Sequence, residues 1–184
     1  MKRFFSLIAL MAFSSLLTFA QDIVSSKSMS VSFYSEAPLE DIEATSQNGV
    51  VLLNTAKNDI SFNIQIKSFV FDKSLMQEHF NENYMESDKF PVATFRGIIK
   101  GPVDYKKDGE YKVTATGKLT IHGEAKDRTI DGIITVKDGI INLNSEFMVA
   151  CKDHHIEIPS LMSEKIGEIV KVTVSGSFDP PVKK

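Results

Sequence analysis

The chain holds one cysteine, Cys151, and no tryptophan among its 184 residues. A lone cysteine excludes an intramolecular disulfide, so packing and ladder hydrogen bonds must carry the fold. Lys106-Lys107 and Lys183-Lys184 are isolated pairs in a chain of net charge -3, and with no basic stripe nucleic acid is not an expected partner. No G-x-S-x-G elbow is present, and no serine has sequence context that suggests a base partner. Nothing in the pattern calls for catalysis, and no enzyme activity is expected.

Long apolar runs are also missing beyond the first twenty residues, MKRFFSLIALMAFSSLLTFA. That stretch has Lys2 and Arg3, an apolar run from Phe4 to Leu17, and Thr18-Phe19-Ala20 as an A-x-A-like site. It reads as a secretory signal peptide over residues 1–20, too short to serve as a membrane span of about 18 to 20 apolar residues. The expectation is therefore a periplasmic or secreted protein without an integral membrane segment after cleavage, with residues 21–184 forming one domain.

What the sequence does have is alternation. In GEYKVTATGKLTIHG the residues Tyr111, Val113, Ala115, Gly117, Leu119 and Ile121 share one parity, opposite Lys112, Thr114, Thr116, Lys118 and Thr120. Successive strand side chains point to opposite faces, so this is a strand with one apolar face. Ile60, Phe62, Ile64 and Ile66 repeat the pattern, as do Val170, Val172, Val174, Gly176 and Phe178. Asn48-Gly49, Asp108-Gly109 and Asp138-Gly139 are read as tight hairpin turns. About eight or nine short strands at this spacing predict an all-β antiparallel sandwich or up-and-down barrel.

One segment departs from period two. From Asp72 to Met85, Leu75, Met76, His79, Phe80 and Asn83 recur at spacings of three and four, with Asp72 or Ser74 as N-cap. The spacing predicts one short amphipathic helix that plugs or covers an end of the barrel. Pro91 ends this irregular stretch and starts the next strand.

Two groups of residues could carry function. Cys151, Asp153, His154 and His155 crowd into five residues and are of metal-ligating type, but strand alternation would send His154 away from the other three. A structural Cys151, solvated loop histidines and His122 as a hairpin corner are the expectation, with no metal. Asp127, Asp131, Glu36 and Glu40 read as surface charges.

The second group is the apolar face: Phe62, Ile64, Ile66, Phe80, Phe95, Val113, Ala115, Gly117, Leu119 and Ile121. Ala115 and Gly117 are small, and small inward residues leave volume unfilled unless a guest occupies it. A barrel of about eight strands either fills its interior with side chains or holds one small ligand. Pattern alone leaves both open.

Residues 75–97 (LMQEHFNENYMESDKFPVATFRG), 117–130 (GKLTIHGEAKDRTI) and 153–175 (DHHIEIPSLMSEKIGEIVKVTVS) resemble, in that order, segments of the YceI-like family of exported polyisoprenoid-binding proteins. The resemblance runs from about Ser28 to Phe178, and its most specific parts are SDKFP.ATF and G.LTIHG..K. It implies an antiparallel eight-stranded lipocalin-like barrel with a helix at one side, enclosing an apolar pore for an isoprenoid chain. His154-His155 departs from the aromatic residue and glycine that members often carry there. His79 and Arg96 are then the candidate mouth contacts, and the implied ligand is a polyprenyl chain or isoprenoid quinone, with no other cofactor. Two other readings stand beside it: a packed envelope or stress module acting by protein contacts, and a metal or thiol enzyme at Cys151 to His155.

Overall fold

Among the described residues the alternating stretches form nine strands: β1 (Ile23–Ser35), β2 (Ile42–Asn54), β3 (Asp59–Gln65), β4 (Val70–Phe71), β5 (Val92–Lys100), β6 (Gly109–Ile121), β7 (Glu124–Lys137), β8 (Ile140–Ala150) and β9 (Ile169–Ser177). These come from a computed structural model that describes residues 22–36, 38, 39, 41–159 and 167–178. The expected signal peptide lies outside the described residues. All pairings are antiparallel, in the order β1-β9-β8-β7-β6-β5-β3-β2, and β1 pairs with β2 to close the ring. Eight strands thus make a closed barrel. The two-residue β4 continues along β2 where β3 leaves it, pairing Phe71 with Ala44 and Val70 with Thr45.

Two of the tight turns are built as glycine chemistry demands. Asp138 and Gly139 join β7 to β8 with φ of 52° and 77°, and His122 and Gly123 join β6 to β7 with φ of 51° and 75°. The other two expected turns are corrected. Asn48-Gly49 lies inside β2, where Gly49 pairs with Met29 of β1. Gly109 is the first residue of β6, after an irregular connection over 101–108.

The expected helix is shorter than its pattern. Helix α1 (Ser74–His79) runs on into a single wide turn, Phe80–Tyr84, of i to i+5 type. Neither Asp72 nor Ser74 caps it. Lys73 is the extended residue at the boundary and makes no side-chain cap bond. Gln77 instead accepts from the amide of Phe71 on its Oε1 at 3.3 Å, tying the helix to β4.

The interior divides along the barrel axis. Toward the β7–β8 turn it is dry: Met29, Val51, Leu53 and Ile134 are all 0% exposed and Val136 is buried with them. Toward the helix the same parity of residues surrounds open space. The packed core and the cavity, alternatives at the level of pattern, occupy different halves of one barrel.

Candidate functional site

The open half is a cavity of about 500 Å³. Alternation along β3 brings Ile60, Phe62 and Ile64 to its wall, Ile66 follows from the 3₁₀ turn just after it, and β6 contributes Val113, Ala115, Leu119 and Ile121. Phe95 faces it from β5, and Phe80 from the wide turn after α1. All of these positions belong to the apolar face read from the sequence.

Gly117 does not line it. A Cβ there would stand 2.1 Å from the Arg96 carbonyl oxygen and 2.4 Å from Gly97 Cα, so the glycine lets β5 and β6 approach closely. The volume attributed to Gly117 is filled by its neighbour's backbone. Arg96 is also removed from the site: it is exposed on β5 with its parity opposite to Phe95, paired across the sheet with Ser61 and Lys118. His79 does reach the mouth, where it lines the cavity and is exposed.

Three aromatic residues that the sequence reading passed over dominate that mouth. Phe33 of β1, Phe69, and Phe71 of β4 surround Phe80, with ring centroids 5.3, 5.9 and 5.0 Å from its own. Their signal was available: Phe33 continues the parity of Met29 and Val31, and Phe69 and Phe71 alternate in SFVF. Leu75 lines the cavity while 59% exposed, so the cavity opens to solvent beside the helix. Polar groups at this end are few, among them His79, Lys73 and Tyr84, whose hydroxyl pKa burial pushes up.

The wall has one seam. β7 pairs with β8 only from Ile133–Asn144 to Lys137–Ile140, so residues 124–132 of β7 and 145–150 of β8 share no ladder. Side chains span the gap instead. Ser145 Oγ donates to the Asp131 carbonyl at 2.6 Å, Arg128 donates to the Met148 carbonyl, and His154 Nδ1 meets the Glu124 carbonyl at 3.0 Å. Asp131, exposed outside, reaches the cavity lining at this seam together with Gly132 and Ser145.

His154 departs from the expected solvated loop. Residues Cys151–His154 form a 3₁₀ turn after β8, which turns His154 inward to 0% exposure while His155 stays exposed. A carbonyl can only accept, so Nδ1 carries the proton and Nε2 is a bare lone pair with no partner among the described residues. Burial, the largest effect, pushes this imidazole's pKa down, with the Glu124 carbonyl opposing it. His122 sits at the adjoining corner with Nε2 2.9 Å from Glu86 Oε2 and Nδ1 3.1 Å from the His154 carbonyl oxygen.

Cys151 is buried and lines the cavity. Desolvation raises its thiol pKa, which is the environment of an inert cysteine, since the thiolate is the reactive form. Among the described residues no three His, Cys, Asp or Glu side chains are grouped as a metal ion would require. What the arrangement can do is enclose an apolar chain: a long greasy wall, an aromatic mouth and scarce polar groups.

Comparison with known proteins identifies a family and a fold. A family model described as the YceI-like domain matches residues 22–178. No curated protein matches the chain. Among solved structures, a polyisoprenoid binding domain from Saccharophagus degradans implicated in plant cell wall breakdown is similar with a TM-score of 0.73 at 15% identity, covering 87% of this chain and 99% of that one. Burkholderia cenocepacia BcnA gives a TM-score of 0.68 at 16% identity over 82% of this chain and 96% of that one. The Campylobacter jejuni YCEI protein gives 0.53 at 20% identity over 71% and 78%. At such identities these three likenesses establish the shared fold.

Proposed function

The chain belongs to the YceI-like domain family, and from that premise we propose that it is an exported binding protein that sequesters or carries an isoprenoid-type chain in the hollow half of its barrel. The observation that carries this reading is the open cavity of about 500 Å³ with a wall drawn from the apolar parity of β3 and β6. Burying about 500 Å² of prenyl surface at about 25 cal/mol per Å² offers roughly 12 kcal/mol, against association costs of about 4 to 15 kcal/mol. Polar groups are scarce along the wall, so apolar burial is the main source of affinity, and binding involves no bond making or breaking.

The charged N-terminus and apolar run of residues 1–20 support export to a periplasm or the medium. His79 and Tyr84 at the mouth are the groups on which a polar head would rest. The open cavity favours this reading over a collapsed barrel acting only through protein contacts.

The test is Ala115→Trp. Ala115 is a half-buried wall residue of β6, and an indole there would occupy the middle of the cavity. Uptake of a C15 prenyl alcohol by lipid-free protein should be lost while circular dichroism and the unfolding midpoint show a folded barrel. Unchanged uptake by a folded variant contradicts the proposal.

A further inference from the structure

The dry half begins at one residue. Met29 is fully buried on β1, and the pairing of β1 with β2 slips on both sides of it. From Val31–Ser46 to Met29–Gly49, β2 advances one residue more than β1; from Met29–Gly49 to Ser26–Val51, β1 advances one more than β2. Paired bulges of this kind re-aim a side chain without shifting the rest of the strand.

The strands on either side make room for it with glycine. A Cβ at Gly49 of β2 would lie 2.6 Å from the Met29 carbonyl oxygen and 3.1 Å from its Cβ. A Cβ at Gly176 of β9 would lie 2.6 Å from Met29 Sδ, so the thioether lies across the face of β9. The same point above Gly49 is approached by the ring tip of Phe62, 2.9 Å from that Cβ position, and Phe62 lines the cavity. One step toward the helix, Val31 and Val174 line the cavity; one step the other way, Val51 and Leu53 are fully buried and do not. Met29 is the boundary.

We propose that Met29 plugs the barrel and sets the length of apolar chain that the cavity encloses. At the roughly 30 Å³ that a water-sized group occupies in a liquid, 500 Å³ holds on the order of 15 to 20 carbon atoms, or about three to four isoprene units. The ligand class is then a C15 to C20 prenyl chain held whole, with any further units of a longer chain left outside at the helix end. This rests on the lipid-binding reading and narrows it.

The experiment titrates lipid-free protein with all-trans prenyl alcohols of 10, 15, 20 and 30 carbons. Affinity should rise by about tenfold or more for each enclosed isoprene unit and level off between the C15 and C20 alcohols. Met29→Ala frees the space of about three heavy atoms, so it should move the plateau upward, the C20 alcohol gaining over the C15 alcohol by more than in the unaltered protein. Ile99→Phe, which fills the deep end of the cavity wall, should move the plateau toward C10 and serves as the test if the alanine variant does not fold. Affinity that climbs evenly through C30 in the unaltered protein, or a plateau that neither variant moves, overturns the length limit while leaving lipid binding intact. Failure of every homologue to bind overturns the lipid-binding reading, and the limit falls with it.

Discussion

The ring of Phe80 lies on that of Phe33, with centroids 5.3 Å apart and planes 22° from parallel. Phe80 belongs to the wide turn after α1 and Phe33 to β1, so this contact fastens the helical segment across the cavity mouth. The rings of Phe69 and Phe71 against Phe80 and the Phe71–Gln77 hydrogen bond share the task, while α1 itself lacks a side-chain cap and a fully buried residue. Offset aromatic pairs contribute about 0.5 to 1.5 kcal/mol beyond their buried area.

Phe80→Ala should therefore loosen the helix selectively. Amides of residues 74–84 should exchange with deuterium at least tenfold faster, with the β6 and β7 amides that pair with each other little changed. Equal acceleration in both would mean that the contact stabilises the whole barrel and not the mouth.

Gly117 and Ala115 neighbour each other on one face of β6 and differ in what a change of one methyl group does. Gly117→Ala forces a Cβ against the Arg96 carbonyl, so denaturant unfolding should show a loss of about 1 to 3 kcal/mol. Ala115→Gly removes a methyl from the cavity wall and should cost less than about 1 kcal/mol more than the intrinsic strand penalty of glycine. A neutral Gly117→Ala would show that the two strands are not in tight contact.

The seam between β7 and β8 should be visible in hydrogen exchange. The three side-chain bridges all satisfy carbonyls, and alternate amides of the unpaired half, those of Ala125, Asp127, Thr129 and Asp131, have no ladder partner on β8. These four should exchange far faster than Ile133 and Thr135 of the same strand. Uniform protection along β7 would mean that the two strands zip together in solution.

His154 gives stability a dependence on pH. Its pKa is lowered by burial, aided by Arg128 and Lys126 and opposed by the Glu124 carbonyl and Asp153, so the folded protein holds the ring neutral. The unfolded chain takes up that proton near pH 6.5, so the stabilisation is complete above that value and is lost as pH falls below it. The slope from this one group is at most about 1.4 kcal/mol per pH unit. His154→Gln should flatten the unfolding free energy between pH 6.5 and 5 relative to the unaltered protein. Parallel curves for the two proteins would show that His154 is protonated alike in the folded and unfolded states.

Strand parity and the short helix α1 were legible because each follows from side chains of single elements. Ile60 to Ile66 and Val113 to Ile121 had to face one interior whatever enclosed it. Glycine was the ambiguous letter. Asn48-Gly49 carries the same residues as a hairpin turn, yet Gly49 serves close approach to Met29 within a strand; Gly117 reads as missing volume, yet serves close approach to Arg96. Both depend on a partner strand distant in sequence, which local pattern does not contain. His154 was misplaced for a similar reason: alternation holds only while the strand continues, and the 3₁₀ turn after Ala150 resets which way each side chain points. The division of the interior into packed and hollow halves was likewise out of reach, since it depends on the bulged pairing that places Met29 against Gly49 and Gly176 of the strands on either side.

The central claim is that an apolar chain occupies the hollow half, and native mass spectrometry tests it most directly. Protein purified without detergent from the organism that makes it is weighed under native and then denaturing conditions. The account predicts a discrete excess mass in the native spectrum that vanishes on denaturation and is recovered in organic solvent as a prenyl lipid. Equal native and denatured masses, in protein that also fails to take up an added C15 prenyl alcohol, would contradict it.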